Sequence, residues 1–372
     1  MNDSAIVLTR PDQTRPDQPI KPARNSSLEL LRIIAILLIL TFHLSYKSGF
    51  DLAGEPLMLN RLWIHFTGTG DNFTGMGEGM GYIGNDIFLL ISGFFLIKSC
   101  TVKWKHIFGL WLRMLFWSVV IFLLAVLFGG VNINFRNIFA VFTPVLSRTW
   151  WFLTYYIALY IFHPFLNKIL CDLTQDSYRK FIAVICVTWG VILITNNTLH
   201  FRYVIDFICL YSVGGYIRLW TEGKGKSIYI LYGAGFMLLN YALLCLTEQN
   251  NVTASETLNR SLHPEIYLNA MSGVFNIAAS VSIFLGFMGL SIPNNRVINL
   301  LASAVTGVYM LHDHPLAVQF WWHYIFRVPS YQGSPYLIAY AVFAVLTVYS
   351  VCTIVELCRI AIFKSISRVK LS

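Results

Sequence analysis

Ten apolar runs, each close to the roughly 20 residues that an α-helix needs to cross a bilayer core, follow one another between residues 28 and 362. In hydrocarbon every backbone N–H and C=O must find its partner inside the protein, and a run of that length achieves this as a helix. The runs cover residues 28–46, 82–101, 107–128, 150–167, 180–197, 203–220, 227–247, 267–290, 300–322 and 335–362. Only a short turn, Asn196 to Arg202, separates the fifth from the sixth. Composition agrees. Charged residues make up 12% of the chain and the apolar set 56%, more apolar surface than a soluble fold can hide. Disorder, coiled coil, collagen and a nucleic-acid-binding module all fit this composition poorly. The expected fold is an all-α, polytopic integral membrane protein with about ten transmembrane helices.

Basic residues set the orientation. With the N-terminus inside and ten spans, 20 of the 27 Lys and Arg residues fall on the inner side. The outer seven are Lys47, Arg61, Arg136, Arg148, Arg202, Arg260 and Arg327. That asymmetry is the positive-inside pattern and predicts both termini in the cytoplasm. It also accounts for the net charge of +9 without a polyanionic partner, so no nucleic acid is expected. Residues 1–27 are polar and proline-containing, too poor in apolar residues for a signal sequence, and read as a disordered cytoplasmic tail. The membrane domain is expected over 28–362, with a short cytoplasmic tail over 363–372. The seven cysteines show no metal-ligand spacing, so neither a zinc site nor a disulfide framework is inferred. The glycine-rich outer segment, 47–81, reads equally as a cover over a polar opening and as a flexible connector.

Ionisable groups inside a bilayer are costly, and each needs a reason. The first run carries Arg32 near its inner end and His43 beyond its middle. Eleven residues of helix turn about 1100°, three full turns plus about 20°, and rise about 16 Å. Both side chains therefore project from one face. Arg32 alone reads as an interface anchor, and His43 alone as a packing hydrogen bond. Together on one face they present a fixed cation at the inner mouth and a titratable base deeper in. Asp86, at the outer start of the second run, lies at a depth where it can orient His43 and stabilise its protonated form. The alternative is an acid favoured by the helix dipole.

These residues resemble the acyltransferase 3 family. The match rests on Arg32 followed eleven residues later by His43, and on the block Gly84-Asn85-Asp86-Ile87-Phe88-Leu89-Leu90-Ile91-Ser92-Gly93-Phe94. Trp151-Phe152-Leu153 with Tyr160 and Pro164, and Gly307-Val308-Tyr309-Met310-Leu311-His312, continue it. The resemblance spans about residues 27–362. It implies a bacterial plasma-membrane O-acyltransferase that moves an acyl group, usually acetyl, from cytosolic acyl-CoA to a hydroxyl of a cell-surface or exported polysaccharide. Acetyl-CoA is then a donor substrate, no cofactor or metal is held permanently, and the acceptor is a glycan or lipid-linked sugar. His43 becomes the base and Asp86 its orienting acid. Arg32 holds the polyanionic donor, with Arg113, Lys103 and Lys105 on the same side. Two departures stand out. Relatives carry a paired Arg-X-X-Arg where this chain has Trp111-Leu112-Arg113-Met114, and Asn85 stands where an apolar residue is usual. The stand-alone form, without a fused soluble hydrolase-like domain, is expected.

Three further residues are candidates for the acceptor side or the reaction chamber. His312 lies within the ninth run, where helix packing explains it equally well. Arg148 and Trp151 offer a cation and an aromatic face, as sugar binding and an interfacial belt both do. The rival reading is a transporter or flippase of a polar or glycan substrate, in which buried charges line a path; it expects paired, broken spans.

Overall fold

The computed structural model describes residues 25–51, 54–70, 77–129, 131–195, 202–221, 223–258, 271 and 273–369. Every apolar run carries a helix. In chain order the helices are α1 (Ser26–Ser48), α2 (Met58–Thr67), α3 (Gly81–Leu96), α4 (Trp104–Gly129), α5 (Phe135–Phe142), α6 (Trp151–Cys171) and α7 (Gln175–Thr195). They continue with α8 (Arg202–Tyr216), α9 (Tyr229–Leu258), α10 (Val274–Met288), α11 (Arg296–His312), α12 (Pro315–Gln319) and α13 (Leu337–Val369). Among the described residues the only extended pairing is a two-residue antiparallel bridge, Thr69–Gly70 with Gly77–Glu78. By length and composition α1, α4 and α13 can each cross a membrane; α3, α10 and the first half of α9 are shorter apolar helices.

The hub is α1. Its start is fixed by Asn25, whose side chain accepts from the backbone N–H groups of Ser27 and Leu28, and its end by Gly49 in the left-handed conformation, φ 67°. Of its apolar window 67% is buried inside the protein, against 28% for α4 and 33% for α13. Leu31, Ile36, Leu40 and Leu44 are fully buried, and α1 packs against α3, α10, α11 and α13. Lipid tails are as apolar as leucine, so helices in a bilayer associate through close packing and polar contacts rather than by escaping water. Gly84 of α3 shows the packing. A Cβ there would collide with the Ala35 carbonyl oxygen and with Ile39 of α1. Asn167 of α6 shows the polar contact: its Nδ2 donates to the carbonyls of Leu96 (2.7 Å) and Ser99 (2.8 Å) at the end of α3, and its Oδ1 accepts from the Tyr211 hydroxyl of α8 (2.7 Å). Three helices are tied at the level where α3's last carbonyls lack helical partners.

The structure departs from the sequence expectations in three places. The run at 300–322 is two helices, because Pro315 lacks an N–H and holds His314 extended at φ −65°, ψ 133°. The chain breaks at Asp313–His314, and the His314 ring nitrogen caps α12 by accepting from Leu316 N at 3.1 Å. The segment expected as a tail from residue 363 continues α13 to Val369. The connector at 47–81 contains α2, anchored by the buried Glu55 carboxylate, which accepts from Asn60 Nδ2 (3.2 Å) and Gly333 N (2.8 Å). Residues 1–24 and 196–201 lie outside the described residues, and with them most of the N-terminal tail and the turn between the fifth and sixth runs.

Candidate active site

Because α1 is unbroken from Ser26 to Ser48, the eleven-residue spacing keeps its meaning: Arg32 and His43 share a face, about 16 Å apart along the axis. His43 is buried. Its Nδ1 lies 2.9 Å from Nε2 of His312, at the end of α11, and 3.5 Å from Oδ1 of Asp313, the first residue of the break. His312 Nδ1 lies 2.7 Å from the Val308 carbonyl oxygen. That network assigns the protons. A carbonyl only accepts, so His312 carries its proton on Nδ1 and offers Nε2 as an acceptor. His43 Nδ1 is then the donor to His312, and the basic lone pair of His43 is on Nε2. A proton gained there makes an imidazolium whose charge faces the Asp313 carboxylate. The set can take a proton and stabilise the cation that results, as a carboxylate behind a base does in acyl-transfer sites.

Asp86 is therefore corrected as the acid that orients His43. The α1–α3 register places Gly81 against Phe42, and Gly84 against Ala35 and Ile39. Asp86 follows further along α3, below the level of His43. It is fully buried, and its Oδ2 accepts from Ser280 of α10 at 3.1 Å. It ties α3 to α10, while the acid beside His43 comes from the helix break.

The inner candidates divide. Arg32 is a third exposed and pairs with Glu29 at 3.3 Å. Arg113 faces Glu356 of α13 at 3.9 Å. That carboxylate is fully buried and also binds Arg359 through two nitrogens, at 2.6 and 2.9 Å, and Trp117 Nε1 at 2.9 Å. Gly307 of α11 makes room for it, since a Cβ there would overlap the Glu356 carboxyl group. Gly307 is five residues, about 7.5 Å of helix rise, from His312. The arginine pair missing from the sequence motif is thus assembled in space, Arg113 from α4 and Arg359 from α13. Lys103 and Lys105 are exposed at the start of α4. Lys105 lines an open groove of about 600 Å³ walled by Trp104, Phe108, Trp111, Val145 and Ile157.

Of the acceptor-side candidates, Trp151 packs its ring 4.6 Å from Tyr203 of α8, and the Arg148 guanidinium sits 5.7 Å over the Tyr155 ring. The neighbouring Trp150 is fully buried and donates to the Met310 carbonyl at 3.1 Å, tying α6 to α11.

Asp313, Glu356 and Arg359 were missed in the sequence. Asp313 and Glu356 each lie in an apolar run, so the reasoning that singles out Arg32 and His43 applies to both; what it cannot supply is the partner. Among the described residues no group of three or more His, Cys, Asp or Glu side chains forms a metal site.

Comparison with known proteins gives one result. The model of an acyltransferase domain, that of the acyltransferase 3 family, matches residues 25–356. No curated protein and no solved structure matches the chain. The match begins at the α1 cap and takes in His43, the His312–Asp313 break, Arg113 and Glu356, nearly the whole chain, so this protein belongs to the acyltransferase 3 family of membrane acyltransferases.

Proposed function

We propose that the protein is a multi-pass O-acetyltransferase of the bacterial plasma membrane, with ten spans and both termini in the cytoplasm, that moves acetyl from cytosolic acetyl-CoA to a hydroxyl of a cell-surface or exported polysaccharide. The observation that carries this reading is the His43–His312–Asp313 set. It leaves one basic nitrogen, His43 Nε2, inside the helix bundle, with the inner cations Arg32 and Arg113 on the side from which a polyanionic donor arrives.

In direct transfer, the acceptor hydroxyl gives its proton to His43 Nε2 as its oxygen attacks the thioester carbonyl carbon. The tetrahedral intermediate collapses, the C–S bond breaks, and the CoA thiolate leaves with the proton returned from His43. Asp313 stabilises the imidazolium in between. Arg32 and Arg113 neutralise donor phosphates, for which guanidinium groups are suited by their paired donors. Lys103 and Lys105 add cationic surface near the inner mouth.

The test is acetyl transfer from acetyl-CoA by protein reconstituted in vesicles, with His43→Ala and Arg32→Ala forms that insert normally. Loss of transfer in His43→Ala and a raised KM for acetyl-CoA in Arg32→Ala are expected; full activity in either removes that residue from the mechanism. The helix break at Asp313–His314 keeps a transporter as second reading, since such breaks also line transport paths. Binding of radiolabelled acetyl-CoA, with acetyl recovered on the acceptor, separates the two.

A further inference from the structure

The outer rim above His43 has a chemistry of its own. Tyr46, one turn outward from His43 on α1, lies within electrostatic reach of both Asp313 and Tyr203. Tyr203 in turn meets Trp151 (4.6 Å) and Tyr155 (5.7 Å). The Tyr203, Trp151 and Tyr155 rings form one aromatic wall from α8 to α6, while the Tyr46 ring on α1 stacks on Phe42 at 5.6 Å. A cation sits over a ring on α1 and another over a ring on α6: the Lys47 ammonium 4.6 Å from the Tyr46 ring centroid, and the Arg148 guanidinium 5.7 Å from that of Tyr155.

Arg148 is held there at a cost. Its φ is 54°, the left-handed region that non-glycine residues rarely occupy. An arginine that only anchors the protein at the membrane surface needs no such backbone. Strained residues of this kind cluster where a ligand is gripped. Neither Lys47 nor Arg148 forms an ion pair with a carboxylate among the described residues. Asp313, which Lys47 influences electrostatically, is already engaged with His43 at 3.5 Å. The rim therefore joins faces on which sugar rings stack to two cations that no carboxylate among the described residues pairs.

We infer that the acceptor is an anionic glycan, with a carboxylate or phosphate close to the hydroxyl that is acylated. Lys47 and Arg148 receive the anionic group, and the Tyr203–Trp151–Tyr155 wall receives the sugar. This rests on the acetyltransferase reading above and narrows its substrate class. A neutral glycan would stack on the same wall yet leave both cations unanswered.

The experiment offers three acceptors of equal length to protein in vesicles of zwitterionic lipid with labelled acetyl-CoA: a neutral hexose oligosaccharide, a hexuronate oligosaccharide and a phosphate-bearing one. At least one anionic acceptor should show kcat/KM about tenfold above the neutral one, an advantage that shrinks as salt rises. The Lys47→Gln/Arg148→Gln double variant should bring the anionic-to-neutral ratio of KM towards one. Arg148→Gly, which keeps the left-handed backbone without the charge, should do so in part and guards against misfolding of the first variant. Equal use of neutral and anionic acceptors, or an advantage undiminished in both variants, overturns the inference and leaves acetyl transfer standing. Failure of both anionic acceptors also overturns it. If acetyl-CoA then fails to bind as well, the acetyltransferase reading falls with it.

Discussion

Two carboxylates meet α11 at different levels: Asp313 follows its last residue, while Glu356 lies against Gly307, six residues or about 9 Å of helix rise earlier. At the outer position Asp313 stands 3.5 Å from a histidine, across a gap too long for a strong hydrogen bond. At the inner position Glu356 is fully buried and bound by two nitrogens of Arg359, with Trp117 and Arg113 on the same group. The inner set holds its charges permanently, since arginine does not release its proton. The outer set is made of groups that exchange protons, with the tautomer set by a backbone carbonyl. The difference teaches that one helix meets two kinds of acidic site: a fixed-charge cluster against Gly307 and, past its last residue, a set of groups able to exchange a proton.

The sharpest way to break that comparison is His43→Ala. Acetyl transfer should fall about 1000-fold, within the range for losing a general base, with the helical spectrum and detergent stability unchanged. Retained transfer would mean that the outer set moves no proton. Next comes Glu356→Ala, which strands Arg359 in the interior. Loss of one partner of a buried ion pair destabilises by about 3 kcal/mol or more, seen as a lower Tm in detergent and, in whatever folds, a raised KM for acetyl-CoA. A Tm left in place would show that the inner set holds nothing.

Asp313→Asn should cost less than His43→Ala, about 30-fold in kcat. Where a carboxylate alone sets the tautomer of a base, its amide costs about 10,000-fold; here His312 and the Val308 carbonyl set it, and Asp313 only stabilises the cation. An effect equal to that of His43→Ala would hand the orienting role to Asp313. The smallest effect is expected for Asp86→Asn. Its bond to Ser280 survives as an amide contact, and transfer should change less than about threefold, the scale of a single neutral hydrogen bond. A loss comparable to Asp313→Asn would return Asp86 to the proton path.

Much of this was legible in one dimension. Arg32 and His43 belong to one helix, and eleven residues at 100° each return to the same face whatever surrounds them. The helical class followed as directly from the length of the apolar runs. The partner of His43 did not. Asp86 is 43 residues away in the chain and at a plausible depth, while Asp313 is 270 residues from His43. Choosing between them needed the register of α3 on α1, which the contacts of Gly81 and Gly84 decide. Arg359 was equally hidden: the sequence motif shows one arginine, and the second comes from another helix.

By itself, then, the order of residues settled which segments become helices and which side chains share a face, because helix geometry is local and hydrocarbon leaves the backbone no other way to bond. It also marked the costly intramembrane charges. Which charges meet was decided only by the fold. Proline at 315 stops a helix one step beyond His312, glycines at 84 and 307 let neighbours close in, and these contacts bring together groups hundreds of residues apart. Hydrogen bonds and ion pairs depend on distances of about 3 to 4 Å, and distances of that size between separate helices exist only once the helices have packed.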